Sequence, residues 1–234
     1  MELPGRKDND REMCGRYSLS TDIEGLSFRF DFEAIGLTFQ ERYNIAPTQQ
    51  VLTVTNDGSK NQAQMMKWGL IPFWAKDPKI GNRSINARAE TVHERPMFRQ
   101  AFQKRRCLIV ADSFYEWKRD GSVKTPMRIV LKSGEPFGFA GLWETWTSPE
   151  GEVVQSCSII TTTPNELMET IHDRMPVILP PKTESTWIDR GLGDNCDLRS
   201  LLVPYSASEM DAYPVSTLVN SPKNDVPEIL ARLS

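Results

Sequence analysis

The sequence predicts an α+β fold in a single domain, with a mainly antiparallel, strongly curved, barrel-like β-sheet flanked by short helices. Three observations carry the prediction. Apolar, β-branched and aromatic runs recur through the middle of the chain, paired around Asp-Gly or Pro-Glu-Gly turns. Helix-start signals are few. No repeat, low-complexity tract or Gly/Ser linker marks a boundary, and 234 residues suffice for one core of ordinary size.

The elements follow in order. Residues 1–12 carry seven charges and almost nothing apolar, so they are expected to stay disordered, as a leader or as a stretch upstream of the true start. A short helix is expected at 20–29. VLTVTN (51–56) meets Asp57-Gly58 and pairs with QMMKWGL (64–70) through a loop longer than two residues. CLIVADSFYEWK (107–118) reads as one strand that turns at Asp120-Gly121 and returns as PMRIVLK (126–132). FGFAGLWETW (137–146) turns at Pro149-Glu150-Gly151 and returns as VVQSCSIITT (153–162). Successive hairpins favour an antiparallel, curved sheet. Thr163-Pro164-Asn165-Glu166 offers an N-cap, a proline at the first helical position and a capping-box glutamate, which predicts a helix ending near His172. Further short helices are expected at 182–189 and 197–203.

Composition narrows the function classes. Hydrophobic residues make up 39% and charged residues 25%, as in an ordinary globular chain. The first thirty residues hold no apolar signal-peptide core, and no run approaches the roughly 18 apolar residues of a membrane span. A cytoplasmic location without membrane contact is therefore expected. Four cysteines, with no CxxC pair, and two histidines argue against a structural zinc site, and no cofactor motif is present. Cys107 and Cys157 sit in apolar runs and read as core thiols. A net charge of −3 excludes a wholly basic nucleic-acid coat but allows a local basic groove.

Four stretches could carry chemistry. In INARAE (85–90), an extended backbone puts Asn86, Arg88 and Glu90 on one face; that face is either solvated or aimed into a pocket, with Arg88 for a phosphate. In SFYEWK (113–118), Asp112, Phe114 and Glu116 alternate onto one face. A carboxylate on an aromatic strand is costly unless paired or protonated, so Glu116 is either a solvent-facing residue or an acid/base group with a raised pKa. In ETIHDRMPVIL (169–179), His172 and Arg174 lie at a helix-to-strand junction, where a cleft can open, although a histidine there also simply suits the helix dipole. His93 reads as a surface residue. WGLIPFWAK (68–76) brings Trp68, Phe73 and Trp74 around Pro72, for core packing or for stacking on nucleobases.

Taken in order, MCGRY (13–17), RYNIAPTQ (42–49), WGLIPFWA (68–75), INARAET (85–91), CLIVADSFYEW (107–117), IHDRMPVIL (171–179) and VNSPKNDVPEIL (219–230) resemble the SRAP family of abasic-site processing proteins. The resemblance runs from Met13 almost to the end and makes 13–234 an SRAP domain. It implies that Cys14, as residue one of the working chain, attacks an abasic site in single-stranded DNA and closes a thiazolidine crosslink during the DNA damage response. Asn86, Glu116 and His172 match the family's other catalytic positions. Arg16, Pro47, Trp74, Arg88, Thr161 and Arg174 match its DNA-contacting ones. A second aromatic residue that some members carry after Trp74 is Ala75 here. The expected partner is abasic single-stranded DNA, bound by a monomer that is nucleoid-associated when on DNA, with no metal or other cofactor. Lyase and autopeptidase activities are also implied. Two other readings stand beside this one: a self-processing thiol peptidase that cleaves before Cys14, and a non-covalent single-strand binder.

Overall fold

The computed structural model describes residues 15–192 and 197–233. The leader, Cys14 and Cys196 lie outside the described residues. Two sheets share one core. Strands β1 (Tyr17–Leu19), β2 (Arg42–Ile45), β3 (Gln50–Asn56), β4 (Asn61–Trp68), β5 (Asn86–Arg88) and β6 (Arg106–Ala111) come first. They are followed by β7 (Ser113–Asp120), β8 (Val123–Leu131), β9 (Phe137–Thr147), β10 (Val153–Thr162), β11 (Met175–Pro176), β12 (Ile178–Leu179) and β13 (Met210–Pro214). Pairings β10–β4, β4–β3, β3–β6, β6–β9 and β9–β10 close a five-strand barrel. The second sheet has the order β13-β8-β7-β1-β2.

The expected hairpins all form. β3 and β4 are joined through 57–60, where Asp57 accepts from the amides of Ser59 and Lys60, and β7–β8 and β9–β10 are antiparallel. Two features depart from the local reading. β10 runs parallel to β4 and β5, so the barrel is not antiparallel throughout. The run 107–118 is also two strands. Asp112 turns out of the barrel and accepts from Ser18 Oγ and the Ser20 amide, both at 2.5 Å, and from Ser20 Oγ at 2.8 Å. This carboxylate trades ladder pairing for charge-assisted bonds, and the chain passes at that residue from β6 in the barrel to β7 in the second sheet.

Helix α1 (Ile23–Phe30) is capped by Asp22, which accepts from Gly25 N at 2.8 Å. Helices α2 (Arg99–Lys104), α3 (Glu166–Glu169) and α4 (Pro181–Ile188) are short. α3 starts later than predicted, because Asn165 rather than Thr163 caps it by accepting from Met168 N at 2.9 Å. Its single turn stops short of His172. The stretch expected to be helical at 197–203 holds only a 3₁₀ turn, Leu198–Leu201.

All six residues of β6 are buried, with the barrel interior on one side and helices on the other. Trp187 of α4 donates to the Cys107 carbonyl, and buried Arg106 donates to carbonyls of Phe102, Gln103, Trp187 and Asp189, tying α2 and the end of α4 to the strand. Tyr17 packs on Trp68 and Phe139 at ring-centroid separations of 5.3 and 5.9 Å, which seats β1 against the barrel. At the end of β4, Gly69 has φ +132°, and a Cβ there would lie 2.6 Å from the Gly81 carbonyl oxygen. This close approach docks the 3₁₀ turn Pro78–Arg83 on the barrel, and in the loop between, Phe73, Trp74 and Lys76 are exposed while Pro72 and Ala75 are buried. Among the described residues, no helix is long and apolar enough to cross a membrane.

Candidate functional site

A cleft of about 990 Å³ opens where the second sheet meets the turn after α3. The segment entering β1 contributes Gly15 and Arg16, β7 contributes Glu116 and Trp117, and the β7–β8 hairpin contributes Arg119 and Lys124. Pro47, Ile85, His172, Asp173 and Asn220 complete much of the wall. Glu116 is 3% exposed although it lines the cleft. β7 pairs with β1 at Ser113 and Phe114 and with β8 along its length, where Glu116 lies opposite Met127.

His172 sits one turn past α3, its amide donating to Met168 O at 2.8 Å. Its Nδ1 lies 3.2 Å from the Arg174 amide and 3.3 Å from both Asp173 Oδ1 and the Arg174 carbonyl. A neutral ring accepts from that amide and keeps its proton on Nε2. A protonated ring donates instead to the Asp173 carboxylate or the Arg174 carbonyl. The imidazole therefore has a hydrogen-bonding neighbour whether it accepts or donates at Nδ1.

The three candidate arginines have different settings. Arg16 donates from one Nη to Asn44 Oδ1 at 2.8 Å and to Val219 O at 2.6 Å, and its guanidinium lies 5.8 Å from the Trp117 ring centroid. Arg174 forks onto Glu90 at 2.5 and 3.0 Å and donates to Thr161 O at 2.6 Å and to Thr161 Oγ1 at 3.3 Å. Partial burial raises the Glu90 carboxyl, but the Arg174 hydrogen bond and the charges of Arg174 and Arg88 outweigh it and hold the group below its ordinary value. Arg88 is exposed. β5 lies parallel to β10 with Arg88 beside Thr161 and Asn86 beside Ile159, so Asn86, Arg88, Thr161 and Arg174 form one neighbourhood. Ile85 in the cleft wall leads directly into it.

The aromatic residues of the 68–76 stretch differ in burial. Trp68 is fully buried and donates to the Ile85 carbonyl at 2.9 Å, whereas Phe73 and Trp74 are 52% and 49% exposed. Ala75 is anchored through its carbonyl by Trp146 Nε1 at 2.7 Å. His93 is partly buried, not a plain surface residue, and pairs with Glu94. Cys107 and Cys157 are buried, and burial pushes both thiols well above their ordinary value.

One constellation was missed in the sequence. Buried Asn44 donates to the carbonyls of Val219, Ser221 and Asn224, while Asp225 accepts from the amides of Tyr43 and Asn44 and from Arg42. The RYN and VNSPKND stretches thus hold each other, and they bring Asn220 onto Trp117 Nε1 at 2.8 Å in the cleft wall. Their signal was an asparagine and an aspartate inside otherwise β-forming or turn-rich runs, residues that serve backbone groups when buried. Among the described residues, no group of three or more His, Cys, Asp or Glu side chains is placed to hold a metal ion.

A closed barrel joined to a second sheet, with a polar, arginine-bearing cleft at the junction, defines the class: a single-domain α+β protein with a polar cleft between its sheets. The chain belongs to the SRAP family, since residues 13–222 match the family described as SOS response associated peptidase (SRAP). It is 52% identical over 221 residues to the abasic site processing protein YoqW of Bacillus subtilis, covering 93% of this chain and 99% of that one. It is 51% identical to YoaM of the same organism, also named an abasic site processing protein, covering 93% and 97% of the two chains. A crystal structure of a protein from Bacteroides thetaiotaomicron superposes with a TM-score of 0.87 at 30% identity, covering 94% of this chain and 100% of that one.

Proposed function

We propose that this protein processes abasic sites in single-stranded DNA by forming a covalent crosslink through Cys14 as its N-terminal residue. The observation that carries the reading is that Gly15, the residue joined to Cys14, lines the same cleft as buried Glu116 and as His172. A nucleophile attached there has an acid/base pair within the same enclosure. The names of the relatives support the substrate.

The chemistry balances without a cofactor. Glu116 moves the proton that opens the abasic deoxyribose to its C1′ aldehyde. The Cys14 α-amine, whose class has a pKa of about 8 and so is partly neutral near pH 7, adds to that aldehyde. Loss of water gives an imine, with His172 carrying the proton to the departing hydroxyl. The Cys14 thiol adds across the C=N bond, sulfur to C1′ and proton to nitrogen, and closes a five-membered thiazolidine. An internal cysteine lacks the amine and gives only a labile hemithioacetal, which is why the amine must be free. Asn86 holds the sugar, Trp74 stacks on a base, and Arg88 takes a phosphate. Arg16, Pro47, Thr161 and Arg174 shape the wall against which the strand lies.

The test is Cys14→Ser with borohydride. Serine keeps the amine, so borohydride is expected to trap an imine adduct while the stable adduct is lost. If intact DNA binding persists and nothing is trapped by wild type or variant, the protein is a non-covalent binder. If purified protein sheds residues 1–13 unaided but never links to DNA, the thiol-peptidase reading replaces this one.

A further inference from the structure

Two basic residues of the cleft wall stand apart from the DNA-facing set named above. In the β7–β8 hairpin, Arg119 and Lys124 are direct cross-strand partners. Both are exposed and both line the cleft. Like charges set opposite each other in an antiparallel pair are destabilising, and neither residue has an ion-pair partner among the described residues. Alternation puts Lys118 and Asp120 on the other face of the strand, with Glu116, so the adjacent carboxylate does not relieve the pair. On the Arg119 face, the preceding cross-strand pair is Trp117 with Pro126, and Arg16 lies over Trp117. The cleft therefore carries a cationic row from Arg16, just before β1, to the hairpin tip, separate from Arg88 on β5 and Arg174 just before β11.

We propose that Arg119 and Lys124 form a phosphate clamp that holds a backbone phosphate of the DNA strand beyond the reacting nucleotide. The clamp rests on the cleft being a DNA site. A phosphate between the two side chains removes their mutual repulsion and gains a guanidinium fork and an ammonium at once. Because the pair lies at a rim away from Arg88, it lengthens the strand footprint instead of repeating the hold that Arg88 provides.

The experiment measures the affinity of the full chain for undamaged single-stranded DNA against salt. The proteins are wild type, the double variant Arg119→Gln/Lys124→Gln, and Lys104→Gln, an exposed residue of α2 that does not line the cleft. Each phosphate that is no longer neutralised should flatten the log K against log salt slope by about 0.7. The double variant is expected to show about that flattening, and Lys104→Gln is expected to keep the wild-type slope. A double variant with the wild-type slope overturns the clamp alone, as does an equal flattening in Lys104→Gln, which would mark a general charge effect. Wild type without salt-dependent binding overturns the DNA reading and the clamp with it.

Discussion

Replacing Asn44 with alanine should loosen the wall of the cleft from the C-terminal side. Asn44 is fully buried, donates to three carbonyls at 2.7 to 3.3 Å, and accepts from Arg16 at 2.8 Å. Its amide has two hydrogens, so the Val219 interaction at 3.3 Å shares one and counts for little. The two short neutral bonds are worth about 1 kcal/mol each, and the bond from the Arg16 guanidinium about 1.5–3 kcal/mol. The truncation also leaves buried carbonyls without a donor. A loss of about 3–5 kcal/mol follows, against a total stability of about 5–15 kcal/mol for a domain. For a chain of this size that lowers Tm by roughly 10 °C. Calorimetry gives the Tm and denaturant titration the free energy, and crosslinking of abasic DNA should fall as Trp117, Asn220 and Arg16 lose their common anchor. A loss below about 1 kcal/mol would refute the reasoning, because the 219–225 segment would then be held by something other than Asn44.

Glu116→Gln keeps the shape of the side chain but not its proton; it should bind undamaged single strands nearly as wild type does and form and release the abasic adduct slowly, as read by crosslinking and competitor-chase rates. Trp74→Ala should weaken single-strand binding by about tenfold, since one base stack is worth about 1–3 kcal/mol, with little change in Tm because the side chain is half exposed. Stability should decline in alkali. Burial raises the thiols of Cys107 and Cys157 and the phenols of Tyr17 and Tyr115 above ordinary values of 9.0 and 10.0. Above those values the unfolded chain releases protons that the folded chain keeps, so stability present below about pH 9 is lost as pH rises. A denaturation midpoint unchanged across that window would count against the burial of these groups.

Much of the architecture was legible because it is local. Each hairpin is written in adjacent runs around a turn, and the short helices expected at 20–29 and 182–189 form as α1 and α4. What escaped the sequence is non-local. The strand break at Asp112 depends on Ser18 and Ser20 from the start of the domain, and nothing in CLIVADSFYEWK announces them. The parallel pairing of β10 with β4 and β5 joins residues about seventy or more positions apart, beyond any pattern of alternation. The same holds for the site. Individual side chains such as Glu116, His172 and Arg88 stood out by type and setting, whereas the partnership of Asn44 and Asp225 with the opposite end of the chain needed the fold. The cross-strand meeting of Arg119 and Lys124 could be read from the hairpin turn, but its place in the cleft wall could not.

The central claim is that Cys14 reacts only as the first residue. Intact-mass spectrometry after mixing with an abasic single-stranded oligonucleotide tests it most directly, comparing protein started at Met13 with protein verified to retain residues 1–12. The account predicts that the first form, having lost Met13, gives a denaturation-resistant adduct of protein plus oligonucleotide minus one water, mapping to Cys14, and that the second gives none. Equal adduct from the verified long form, or an adduct that maps to a lysine, would contradict it.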